Sequence, residues 1–286
     1  MKQFLIVGVV LCHVLTGNAQ DGEFHLDKTY SIRPDGKIDL RSTDAEVIII
    51  GSDRQTAHVK IDRKVVMKGI YKATEDFRVD VETVDGDLII REHQQAGMTG
   101  LIAYWREEYK IAIEAPQGVS LLIRGDDGDY FIKNINGALS ITADDSDVEV
   151  TDCGGSKFNF KLDDGVLRMD GGRGELSLEL DDGDAEIYGG RFSLVKADLD
   201  DGDLLLETAL SDGGTYRFDM DDGDLDLRIF SGGGTFTISY DDTGISTGEA
   251  FQTLQKDDDL RKLVLPGGNA NIVIDADDGS IRLSAR

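Results

Sequence analysis

Two cysteines, three prolines and one tryptophan are all that 286 residues contain, and each scarcity excludes something. Cys12 falls in a segment read below as removable, so Cys153 is left with no internal partner and no disulfide framework holds the fold. With so few prolines, Pro-rich linkers are excluded. Positive charge is short as well: 30 Lys and Arg against 56 Asp and Glu leave a formal net charge of −26. A field of that sign repels nucleic-acid phosphates and anionic lipid, so no nucleic-acid partner is expected. No phosphate-cradling glycine loop or dinucleotide fingerprint occurs. The downstream histidines, His25, His58 and His93, are scattered without metal-ligand spacing. What remains is 40% hydrophobic residues, enough for a core, and 34 glycines, enough for many tight turns.

Long apolar runs are confined to the beginning. Lys2, the apolar stretch from Phe4 to Leu15 and the small residues Gly17 and Ala19 read as a secretory signal over residues 1–19, cleaved before Gln20. A membrane span would need about 18 or more apolar residues. Leu11 before Cys12 is not the small residue that lipidation requires. The chain is thus expected to cross the inner membrane and to stay periplasmic, outer-membrane-associated or extracellular, with no transmembrane segment after cleavage.

The rest is organised by a repeat. Acidic pairs begin at Asp126, Asp144, Asp163, Asp181, Asp200, Asp221 and Asp241, roughly 19 residues apart, and again at Asp277 after roughly twice that step. Aligned on the first Asp, the residues one, three and five before it and four and six after it are apolar in every copy except at Gly125 and Thr247. A spacing of two marks a strand with one buried face on each side of the turn. Between the inner residues flanking the turn lies an odd number of steps, so the chain must bend there. Gly128, Gly165, Gly183, Gly202, Gly223 and Gly279 are placed to absorb a positive φ.

The expected fold is all-β: a parallel β-solenoid with one coil per repeat, because stacking explains near-constant register. An antiparallel meander or sandwich, with each Asp-Gly a hairpin tip, is the alternative. Residues 20–120 read as an N-terminal β cap in which Asp44–Ile50 and Val84–Ile90 are diverged copies, and residues 121–286 as the acidic repeat region. Residues 246–265 break the pattern and read as a loop or short helix.

Gly125-Asp126-Asp127-Gly128-Asp129-Tyr130, the Asp-Asp-Gly-Asp copies at 181, 200 and 221, and the closing Gly267-Gly268-Asn269-Ala270-Asn271-Ile272 resemble the bacterial putative-adhesin family, a domain of unknown function with a Gly-Asp strand repeat. The chain is also similar to the head domain of putative auto-transporter adhesins. The resemblance implies a β-solenoid envelope protein; it carries over no site residues. The doubled Asp is more acidic than that family's usual turn.

In a solenoid, Asp126, Asp144, Asp163, Asp181, Asp200 and Asp221 line up along one edge. Like charges ~5 Å apart repel by roughly 1 kcal/mol in water and ~3 kcal/mol at an effective dielectric of 20. Such rows either splay into solvent or recruit cations, and Ca²⁺ accepts carboxylates from flexible turns; the plainer reading is that Asp and Gly simply make turns. Tyr104, Trp105 and Tyr109 form an aromatic cluster that could stack on sugar rings or pack the cap onto the first coil. Carboxylates are too abundant to single out a catalytic pair, and no cofactor is expected apart from candidate Ca²⁺. The expected function is a non-catalytic scaffold or adhesion-like module, with a protein or glycan of the envelope as partner. A Ca²⁺-dependent structural or carbohydrate-binding protein is the alternative, and a polysaccharide-active enzyme the second alternative.

Overall fold

The computed structural model describes residues 23–286, without the side chains of residues 67–76 and 95–105. The expected signal segment, Cys12 included, lies outside the described residues. Among the described residues twenty-two strands form one continuous sheet, folded into two faces around a single apolar core.

Each repeat contributes a leading strand, the acidic turn, a trailing strand and a second corner. Leading strands pair in parallel through Lys37–Arg41, Ser120–Arg124, Leu139–Asp145, Lys157–Asp164 and Arg173–Leu180. Trailing strands do the same through Glu46–Ser52, Tyr130–Lys133, Val148–Thr151 and Val166–Asp170. Parallel pairing one repeat apart sets the meander aside; among the described residues antiparallel pairs occur only at the two ends of the stack. The inward positions read from the repeat are buried in every coil except at Gly125, Tyr240, Ile245 and Thr247. Phe158, Phe160, Phe192 and Phe218 are among the largest side chains wholly removed from water, each worth about 1.5–3 kcal/mol of transfer free energy.

The bend across the acidic turn is made by the residue two after the first Asp. It too points inward: Gly128, Ser146, Gly183, Gly202 and Gly223 are buried. The glycines there are needed for a reason other than the one expected. Of the six turn glycines expected to absorb a positive φ, only Gly165 and Gly279 do so. A Cβ on Gly202 would lie 2.0 Å from the Gly183 carbonyl oxygen, and one on Gly223 2.1 Å from that of Gly202, so the coils stack through a column of absent side chains. Left-handed backbone belongs instead to the second corner, at Asn134, Asp152, Gly171, Gly189 and Gly232; Asn and Asp are the non-glycine residues that tolerate it best.

At the N-terminal end the chain departs from simple stacking. Thr56–Val84 and Asp87–Pro116 form a long antiparallel hairpin. Its tip is Asp85-Gly86, both at positive φ, the geometry that two-residue hairpin turns favour. The Val84–Ile90 segment is therefore a hairpin and not a coil turn, whereas Asp44–Ile50 does turn a coil. Past the tip, residues 88–91 pair with Ile38–Arg41, and residues 110–116 pair with Glu46–Ser52. Residues 92–109 thus replace the acidic turn of this outermost coil and leave the stack as one arm of the hairpin. Phe24, Phe77 and Tyr109 close this end, edge to face at 5.5 and 5.4 Å.

The C-terminal end is out of sequence order. The last coil, Ala270–Ala276 and Ser280–Ala285, lies between the coil of Thr215–Met220 and Asp224–Ser231 and that of Gly234–Tyr240 and Gly244–Thr247. Residues 246–265 are neither loop nor helix: Gln252–Lys256 and Leu260–Leu265 form a hairpin added antiparallel to Gly234–Tyr240. The open edge of that strand supplies hydrogen-bond partners that the local sequence does not announce. Phe251 covers Phe236 at 5.4 Å.

Candidate functional site: the aspartate edge

The parallel ladder runs on through the acidic turns. Asp182 N donates to Asp163 O (2.7 Å), Asp201 N to Asp181 O (2.9 Å), Asp222 N to Asp200 O (2.8 Å) and Asp278 N to Asp221 O (2.8 Å). This backbone spacing brings the predicted row, Asp126, Asp144, Asp163, Asp181, Asp200 and Asp221, together along one edge, with the second residues of each pair beside it. The row reaches Asp277 before Asp241, because the last coil is inserted between.

Electrostatics follow from that proximity. Asp164 is held above the ordinary carboxyl range by a hydrogen bond with Asp145 and by its charge. Asp181 is raised in the same way by Asp200. Asp126 is raised by burial and then by Asp144 and Asp127, and Asp278 by burial and then by Asp222, Asp242 and Asp241. The edge is an array of carboxyls short of cations. Among the described residues no group of three or more His, Cys, Asp or Glu is arranged to hold a metal ion. Any cation taken from solution would be held between neighbouring coils, with water completing its shell.

A third acidic position does structural work that sequence reasoning did not identify. The side chain three residues after the first Asp accepts the amide of the same position in the next coil: Val166 N to Asp147 Oδ1, Asp203 N to Asp184 Oδ1, and Asp224 N to Asp203 Oδ1, each 3.0 Å. The Asp-Asp-Gly-Asp spacing was the available signal. Its last Asp is an amide acceptor, whereas the first two carry the repulsion.

The cap holds a second polar cluster that the sequence did not single out. Glu92 accepts from Thr43 N (3.0 Å) and Thr43 Oγ1 (2.6 Å), tying the hairpin arm to the first coil. Arg63, 3% exposed, pairs with Glu107 and lies 4.0 Å from the Phe77 ring centre. Tyr109 is buried against Phe77; burial and the nearby Glu92 raise its phenol pKa far above the usual value. Its ring is not offered to a sugar. The side chains of Tyr104 and Trp105 lie outside the described residues. His25, His58 and His93 each face one aspartate, Asp62, Asp27 and Asp80, and do not converge. Cys153 is buried at the second corner beneath Ile135, and burial pushes its thiol pKa up.

Fold and edge together define an all-β repeat protein of solenoid type, with a continuous core and periodic side-chain rows on its outside. The chain belongs to the Toastrack DUF4097 family, which it matches over residues 36–284. It is similar to the crystal structure of a putative adhesin from Bacteroides fragilis, with TM-score 0.55 and 13% identity over 91% of this chain and 97% of that one. A putative adhesin from Parabacteroides distasonis gives TM-score 0.44 and 10% identity over 92% and 98%. A structure from the same organism described as a putative lipid binding protein gives 0.38 and 10% over 91% and 96%. No curated protein matches the chain.

Proposed function

We propose that this protein is a non-catalytic binding and scaffold module, exported across the inner membrane and displayed at the cell envelope. One observation carries the reading: the register that buries the same positions in successive coils also sets the remaining positions in straight, solvent-facing rows along the whole stack. A surface of that kind meets an extended partner at many equivalent points, each weak, with the rigid core holding them in place. The adhesin name given to the B. fragilis protein agrees with this reading. Binding of the purified protein to a panel of envelope glycans and surface proteins, followed by product analysis, tests it. Saturable binding without new reducing ends or unsaturated sugars is the expected result; turnover of a bound glycan would make the protein an enzyme.

The raised carboxyls of the edge support a second reading, a Ca²⁺-stiffened scaffold. Thermal melts with EDTA, Ca²⁺, Mg²⁺ and ionic-strength-matched NaCl separate the two. A gain of several degrees specific to Ca²⁺ supports a cation-linked edge. Equal melts leave the plain scaffold.

A further inference from the structure

The outer surface of the leading sheet carries a row whose order is set by the β-ladder, one residue per coil, just before the acidic turn. It begins Arg91, Arg41, Arg124, Thr142, Lys161. It continues Glu179, Asp198, Asp219, Asp275, Ser239. One half is basic and the other acidic, with the change between Lys161 and Glu179. In a chain of net charge −26, a run of cations with no anion interposed is a departure that neither core packing nor turn chemistry requires. Arg91 and Arg124 share Asp39, at 2.7 and 3.6 Å. Arg41, between them, is exposed and makes no ion pair or hydrogen bond among the described residues.

A row that is basic in one half and acidic in the other complements its own reverse. A two-fold axis lying in the plane of the face, along the strands and between Lys161 and Glu179, reverses the order of the coils. It keeps each residue at the same height along its strand. Lys161 then faces the partner's Glu179, Arg124 faces the partner's Asp219, and Arg41 faces the partner's Asp275. In the adjacent rows Asn159 meets the partner's Ser177, Leu122 meets the partner's Arg217, and Lys157 meets the partner's Glu175. Within each copy Lys161 already pairs with Glu179, and Arg217 with Asp219 and Asp275, so the contacts across the axis extend these pairs into a shared network. Both copies carry the same ladder spacing of about 4.8 Å, so the rows stay commensurate away from the axis. Self-complementarity under a two-fold is the requirement for an isologous dimer.

We propose that the leading sheet is a self-association surface through which two copies pair face to face with their solenoid axes antiparallel. The acidic turns lie at the margin of that face. Their mutual repulsion is screened over about 8 Å at physiological ionic strength, whereas charges in contact are screened less.

Sedimentation analysis of the chain over micromolar to submillimolar concentrations in 0.15 M salt tests the proposal. A reversible dimer is expected. R41E/R124E makes the row acidic nearly throughout, and D219R/D275R makes it basic nearly throughout. Each variant is expected to weaken self-association at least about 30-fold by setting like charges opposite one another. Mixed in equal amounts the two variants are expected to form a 1:1 heterodimer, because every reversed charge then meets its complement. Circular dichroism confirms that both are folded. A wild-type chain monomeric over the whole range, a dimer that persists in both variants, or a mixture that stays monomeric would each overturn the proposal.

Discussion

The two corners of each coil solve the same problem, reversing the chain within a few residues, by opposite means. At the acidic corner the backbone of Gly202 and Gly223 stays out of the left-handed region, but successive coils approach so closely that no Cβ fits between them. At the second corner Gly189 has φ +67° and nothing lies within 4 Å of where its Cβ would be. Gly202 and Gly223 are limited by space, and Gly189 by torsion. Glycine in a repeat therefore does not carry one meaning, and the two kinds differ in what can replace them.

Substitution makes the contrast measurable. Gly202→Ala should have the largest effect, a loss of about 3 kcal/mol in urea unfolding, because the new methyl must push two hydrogen-bonded coils apart. Gly189→Ala should cost only about 1 kcal/mol, the penalty of left-handed backbone, and Gly189→Asn less. Equal losses at the two sites would erase the distinction between the corners.

The aspartates of the acidic corner divide in the same manner. Asp184 accepts an amide, so Asp184→Ala should cost ~1 kcal/mol, while Asp184→Asn keeps the acceptor and should recover most of it. Asp181 carries repulsion, so Asp181→Asn should raise the melting temperature at pH 7 and lose that advantage in acid. An Asp184→Asn variant as unstable as Asp184→Ala would assign that position to charge and not to capping.

The smallest effect concerns pH. Carboxyls whose folded pKa is raised bind protons in the folded state before the unfolded chain does, so acidification favours folding. Asp126, Asp164, Asp181 and Asp278 add stability as pH falls through their raised values, and the gain is complete below the ordinary value of 3.8. Asp87 works against them: the Lys37 amide and Arg33 hold it below 3.8, and its contribution is lost as pH falls through its depressed value. The melting temperature should climb by about 2–5 °C from pH 7 toward the ordinary carboxyl range and then turn down. A melt that falls steadily from pH 7 would mean that the edge is not short of cations.

Much of this is legible in the sequence. The inward positions from Leu121 to Leu283, apart from Gly125, Tyr240, Ile245 and Thr247, are buried as the period-two alternation required, because burial alternation is a local property of an extended chain. The row of first aspartates follows from constant repeat length. The cap was less legible. Val84-Asp85-Gly86-Asp87 looks like a coil turn in one dimension, and only the antiparallel partner of the strand before it makes it a hairpin tip. Gln252–Lys256 has every residue exposed, so no hydrophobic pattern could mark it as a strand. Arg63, Glu92 and Glu107 come from distant parts of the chain and had no spacing to betray them.

By itself the sequence determined the alternation, the repeat step, the signs of the charges and the residues at each turn, because these depend on near neighbours along the chain. Tertiary structure alone decided which coil lies on which. Coils with the same inward pattern and the same ladder are interchangeable as neighbours, and so residues 270–285 can sit inside a coil that precedes them in sequence. Tertiary structure also decided which glycines are limited by space and whether a charge row runs basic to acidic along one face, since stacking order sets both the distance between coils and the succession of their side chains.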